Sequence, residues 1–246
     1  MRTPLIALSA LLLSAPALAA QDDWDDWDCE RHECEKYPTG GYVGGSLAAA
    51  RTQGEFSDYV RGGFGGDIHF IQKLDRDGWL ALRTDAGLLV YGYESQHVPL
   101  SPTIGGRVLV DLTTSNNIAW FGVGPQIGVP DGDLQPYVNA FVGYSALWTS
   151  SSVSDIDYGD DVFSSNNFSD GSFSYGAGAG LYVPLRRGPS PVSLDMGVRY
   201  HNNGRAEYLR EGDIQDNPDG SITVYPTRSD TDLLSFHVGV SIGIAR

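Results

Sequence analysis

The residues with chemistry to offer fall into three groups. Asp67, His69, Arg83, Asp85, Asp195, Arg199, His201 and His237 all lie on the polar side of segments whose other side is apolar. Gathered in one place, such carboxylates, guanidinium groups and imidazoles can neutralise one another as a buried ionic network. They can also exchange partners as a gate that briefly admits ions, or form a catalytic arrangement. The Gly239-x-Ser241-x-Gly243 string lies within an alternating segment rather than on the strand-to-helix turn that a nucleophile elbow needs, and no metalloprotease helix is present, so the structural network is the expectation and catalytic residues are expected to be none.

The second group is Cys29-x4-Cys34 inside Gln21–Tyr37, a stretch with eight acidic residues, two basic ones, Trp24 and Trp27. In an oxidising compartment the two thiols are expected to close a small disulfide loop. Cys29, His32 and Cys34 lack a further Cys or His pair to complete a tetrahedral metal set, so neither a metal nor a cofactor is expected. The third group is the loop Ser151–Gly171, with five Asp and no Lys or Arg. Its spacing lacks the EF-hand order, and it reads as a hydrophilic surface loop.

The elements that must position these groups alternate with a period of two. Val192, Leu194, Met196, Val198 and Tyr200 oppose Ser193, Asp195, Gly197, Arg199 and His201. Leu234, Phe236, Val238, Val240, Ile242 and Ile244 oppose Ser235, His237, Gly239, Ser241 and Gly243. The same pattern runs through Leu80–Val90, Val138–Trp148 and Phe173–Leu185. Alternation over ten or more residues marks strands longer than the five or six residues usual in soluble sheets. It matches the roughly 9–11 residues a tilted strand needs to cross a bilayer.

Two environments produce such a pattern. A soluble sandwich or lipocalin-type barrel turns its apolar face inward, whereas an outer-membrane barrel turns it toward lipid. The polar faces here are rich in Gly and Ser and carry charges of both signs, and Tyr and Trp sit near the ends of the apolar faces. Those features favour the membrane barrel. The connections at 74–78, 130–135 and 186–191 are short, and those at 151–171 and 202–230 are long. With 103–113 read as an extension of the strand that follows it, eight crossings are expected, near 42–52, 60–73, 79–93, 117–129, 136–150, 172–185, 192–202 and 232–245. Ten remain open if the long loop at 202–230 hides another crossing. Within that loop, Ala206–Leu209 and Ile222–Tyr225 suggest a projecting hairpin around Asn217–Gly220.

The phrases YVGGSLA, PYVNAFVGYS, SYGAGAGLYVPL and LDMGVRY, in that order, resemble the small outer-membrane β-barrel family typified by the transmembrane domain of outer membrane protein A. The resemblance covers about 42–246. It implies an all-β, antiparallel, up-and-down transmembrane barrel in the cell outer membrane, with outer-membrane lipid, lipopolysaccharide and the barrel-assembly machinery as partners. His237-x-Gly239-x-x-Ile242-x-Ile244 also resembles the barrel-assembly signal, although the chain ends Ala245-Arg246 where that signal has an aromatic.

Residues 1–19 carry Arg2, an apolar run and Ala17 and Ala19 at the −3 and −1 positions of a cleavage site, as a secretory signal peptide does. Residues 20–40 then form an acidic periplasmic segment and 41–246 the barrel. With 31 acidic residues against 16 basic, a formal charge of −15, the chain lacks the basic footprint of a nucleic-acid binder. The expected role is structural or surface-interacting and non-enzymatic. The alternatives are a narrow passive pore for ions or small solutes and, third, a rim-located lipid-modifying enzyme.

Overall fold

Long alternating segments cannot satisfy their backbone groups alone, and the chain pairs them into one ring. The computed structural model describes residues 39–99, 109–155, 161–188, 190–210, 213–216 and 222–245. The strands are β1 (Thr39–Thr52), β2 (Gly62–Lys73), β3 (Leu80–Pro99), β4 (Leu109–Gly128), β5 (Gln135–Asp155), β6 (Asp161–Arg186) and β7 (Val192–Asn203). After them come the short β8 (Arg205–Tyr208), β9 (Ile214–Asp216), β10 (Ile222–Val224) and β11 (Thr227–Asp230), then β12 (Leu233–Ala245). Eight of these close a barrel in the order β1-β12-β7-β6-β5-β4-β3-β2, every pair antiparallel. Ten strands are thus excluded. Closure leaves no open edge, the condition for a sheet in hydrocarbon.

The faces are inverted relative to a soluble protein. Leu47, Ile68, Phe121, Val138, Phe236 and Val238 point outward and are exposed, Leu47 by 67% and Ile68 by 65%. Their neighbours Asp67, His69, Asn139, Ser235 and His237 are buried inside. An outward apolar band of this kind is stable against lipid and costly against water.

At one end, the turn end, the connections are tight. Asp75 accepts the N–H groups of Trp79 and Leu80, both at 3.1 Å, and Gly78 and Gly132 take positive φ, +80° and +115°, a region other residues avoid. At the loop end the structure differs from the sequence expectation in two places. The segment 151–171 is not all loop, because β5 and β6 stay paired out to Ser154↔Asp161. β3 and β4 likewise pair out to Pro99↔Leu109, so from Leu109 onward the 103–113 segment is an extension of its strand. The Ala206–Leu209 piece does not pair with Ile222–Tyr225. Instead β8 pairs with β11 and β9 with β10, because antiparallel partners are counted outward from the connection and the two ladders nest. The expected signal peptide, nearly all of the expected acidic segment and the Cys29–Cys34 pair lie outside the described residues, and β1 itself starts at Thr39.

Candidate functional site

Inward-facing residues from adjacent strands share levels, so the register alone stacks charged side chains in the lumen. Asp85 and Arg83 are two apart on β3, and Arg83 Nε donates to Asp85 Oδ1 at 2.8 Å. Arg199 Nη2 reaches the same oxygen from β7 at 2.9 Å. Arg83 Nη1 also donates to Gln126 Oε1 at 3.2 Å and to the Tyr182 hydroxyl at 3.0 Å. Asp195 accepts the Tyr137 hydroxyl at 2.8 Å and faces His237 Nε2 at 3.6 Å, Arg83 Nη2 at 3.7 Å and His69 Nδ1 at 3.8 Å. The eight sequence-selected residues are all buried, Arg83 to 1% exposure and Asp195 to 0%. Asp67 Oδ1 is buried with no hydrogen-bond partner among the described residues.

Two Ser–His contacts raise the question of nucleophilic chemistry. His201 Nε2 lies 3.2 Å from Ser235 Oγ, but that hydroxyl gives its single hydrogen to the Arg199 carbonyl at 3.2 Å. His201 Nε2 must therefore donate, which is the opposite of a general base activating a serine. His69 Nε2 meets Ser241 Oγ at 3.2 Å in an equally buried setting.

Toward the loop end the lumen changes character. Ala48, Leu89, Ile118, Trp120, Leu147 and Leu233 point inward from the strands and pack with Phe56, Val60, Ala206 and Tyr208 from the connections. Phe56 comes from a 3-10 turn over Gly54–Asp58, and meets Tyr208 and Tyr91 edge-to-face at centroid distances of 5.0 and 5.8 Å. Thr52 Oγ1 donates to the Val60 carbonyl and ties that turn down. Arg210 lies over the Tyr59 ring at 4.9 Å and pairs with Asp213 at 3.1 Å. That bond to Asp213 raises the Arg210 pKa above its ordinary value.

This apolar roof escaped the sequence reading. Its signal is present as breaks in alternation, Leu88-Leu89-Val90, Ile118-Ala119-Trp120-Phe121, Ala146-Leu147-Trp148 and Leu233-Leu234. In each, both faces turn apolar at the loop end. Trp120 marks the boundary with the ionic layer. Its ring fills the space over Gly87, where a Cβ would sit 2.0 Å from Cζ2, and it meets His201 edge-on at 5.5 Å.

At the turn end a vestibule opens below the ionic layer, lined by Lys73, Trp79, Gln126, Tyr137, Tyr182 and Ser241 among others. On β12, His237 faces the lumen while Ile242 and Ile244 face outward. Gly239 stands against Ser46 of β1, whose Oγ would lie 2.5 Å from an added Cβ.

A family model described as outer membrane protein beta-barrel domain matches residues 5–242. Among solved structures the chain is similar to Ail, the attachment invasion locus protein of Yersinia pestis. The identity is 13% over 83% of this chain and 97% of that one, with a TM-score of 0.46. The same protein in complex with the heparin analogue sucrose octasulfate matches at 12% identity over 83% and 99%, TM-score 0.43. A major outer membrane protein from Thermus thermophilus matches at 12% over 82% and 99%, TM-score 0.41. No curated protein matches the chain in sequence.

Proposed function

We propose that this chain, which belongs to the outer membrane protein beta-barrel domain family, serves the outer membrane as a sealed, non-enzymatic barrel whose work is structural or surface-interacting. The observation that carries the reading is double occlusion of the lumen. Arg83, Asp85, Asp195 and Arg199 cross-link opposite walls, and the Phe56–Tyr91–Tyr208 cluster lies above them. Eight strands enclose an interior that side chains can fill, and here they fill it at two levels of different chemistry.

Short turns belong to the periplasmic side and long connections to the outside in such barrels, so the roof and the extended β3–β6 ladders face the exterior. The outward apolar band meets outer-membrane lipid and, in the outer leaflet, lipopolysaccharide. The β12 segment carrying Ile242 and Ile244 is the part offered to the assembly machinery during insertion.

The test is conductance in a planar bilayer. A sealed barrel gives no steady unitary current, and removing the roof by Phe56→Ala leaves it silent because the ionic layer still blocks the lumen. Steady current from the unaltered chain, changed by neutralising Arg83 or Asp195, would establish the narrow pore instead. Altered lipid composition on overexpression, abolished by His201→Ala, would establish a lipid-modifying enzyme.

A further inference from the structure

On the wall formed by β3, β4 and β5 the outward face changes chemistry where the apolar band stops. The band ends there at Val90, Ala119 and Trp148, and the three strands run on beyond it, paired out to Pro99↔Leu109 and Val110↔Asp155. Alternation carries the outward positions through Tyr93 and Ser95 on β3, Asn117, Ser115 and Thr113 on β4, and Ser150 on β5. The hydroxyl and amide groups among them are joined across the strands. Asn117 Nδ2 donates to Ser115 Oγ at 3.1 Å, Ser115 Oγ meets Ser150 Oγ at 3.1 Å, and Thr113 Oγ1 donates to Ser95 Oγ at 3.4 Å. The opposite wall has no such extension, because β1 ends at Thr52, β2 begins at Gly62, β7 ends at Asn203 and β12 begins at Leu233.

Two features restrict what this face can meet. In a chain of formal charge −15, its six positions carry no charge at all. A hydroxyl has one hydrogen and two lone pairs, so the cross-strand ladder spends only part of its capacity, and the rest both donates and accepts. The second feature is Tyr93. It is 71% exposed on the flank that β2 leaves open, since β2 pairs with β3 only as far as Phe64↔Val90. Its ring offers an apolar surface with a polar tip, level with the first hydroxyl rung, Ser115.

A protein partner would call for several apolar or aromatic anchors at the centre of the patch, and this patch has one ring at its base. A saccharide matches it better, because its hydroxyls donate and accept in turn and its C–H faces lie against an aromatic ring. With the loop end outside, as the proposed function places it, the face continues the lipid-facing surface into the layer directly above the hydrocarbon, where lipopolysaccharide carries its sugars. We infer that the outward face of the β3–β4–β5 extension is a saccharide-binding surface whose ligand is the core oligosaccharide of an adjacent lipopolysaccharide. The barrel then contacts one glycolipid twice, its acyl chains through the apolar band and its sugars through the hydroxyl ladder.

The full chain, folded into phosphatidylcholine nanodiscs, is titrated with core-bearing lipopolysaccharide and separately with lipid A, which has the acyl chains and phosphates but no core sugars. Native mass spectrometry counts the bound glycolipid. The core-bearing form should bind about tenfold more tightly, the worth of one or two net hydrogen bonds. Ser115→Glu together with Ser150→Glu should abolish that preference and leave lipid A binding and the heat-dependent gel shift unchanged. Tyr93→Ala should reduce the preference without abolishing it. Equal affinity for the two glycolipids, or a preference that neither set of substitutions moves, overturns the proposal and leaves the face to a protein partner. Steady conductance would overturn the sealed reading of the barrel without altering this comparison, so the two can fail separately.

Discussion

The ionic layer and the roof fill the same lumen, but they are built from different parts of the chain. Every charged member of the layer is carried by a barrel strand, so Arg83 on β3, Asp195 and Arg199 on β7 and His69 on β2 cannot separate unless the ring itself deforms. The roof draws several of its members from connections, Phe56 and Val60 on one side and Ala206 and Tyr208 on the other. Such segments can lift by local opening while the ladders stay paired. The ionic layer is thus coupled to global stability and the roof to local order at the loop end.

Removing a charge should strike hardest. Arg83→Met strands Asp195 in the lumen, and breaking a buried pair costs about 3–5 kcal/mol. Urea unfolding in lipid vesicles, followed by the heat-dependent gel shift, should report that loss for the whole barrel. An unchanged midpoint would mean that the layer is decorative. Phe56→Ala deletes a roof anchor, and its packing is worth about 3 kcal/mol. Here the loss should register as faster amide exchange at Gly54–Val60 and Arg205–Tyr208 with little change in the unfolding midpoint. A global shift of the same size would erase the distinction between the two regions.

The boundary between them can be probed by Gly87→Ala. Its new Cβ would collide with the Trp120 ring, and overpacking of this kind costs about 1–3 kcal/mol. Trp120 fluorescence and the exchange of roof amides should respond together. The smallest effect lies at the opposite end. Slight desolvation opposes it, but the Leu80 and Trp79 N–H groups hold the Asp75 carboxyl below its ordinary value of 3.8. A depressed carboxyl contributes order above its unfolded pKa and loses it as pH falls through the folded one. Acidification below about pH 4 should therefore shift the Trp79 and Leu80 amide resonances in NMR and leave the roof untouched.

The layer was legible from sequence because each charge sits at an even step from other polar residues, so alternation alone places it on one face. Asp195, Arg199 and His201 declare themselves between Leu194, Met196, Val198 and Tyr200. Eight strands followed from the turn signals, including Asp75 and Gly78. The roof was hidden for two physical reasons. Leu89 and Leu147 read as continuations of an apolar run, and alternation cannot say that both faces are apolar for different causes. Phe56 and Tyr208 lie in connections whose position over the lumen depends on ring closure, which no local pattern encodes. The pairing of β8 with β11 was missed because matching a strand to its partner across intervening residues needs register, and short polar segments specify register weakly.

The pairing of β1 with β12 carries a kinetic consequence. Leu47 meets Val238 across the seam, so the contact that completes the ring joins two of the most distant stretches in the sequence. Its loop-closure entropy must be met before β1 and β12 are paired on both sides. Until then two open edges would face hydrocarbon, where each unpaired backbone group costs several kcal/mol. A half-built barrel has no stable resting place in the bilayer. Closure and insertion must therefore be one event, and the seam, though made of Gly, Ala and Ser as much as of large side chains, is the step at which the molecule commits to its fold.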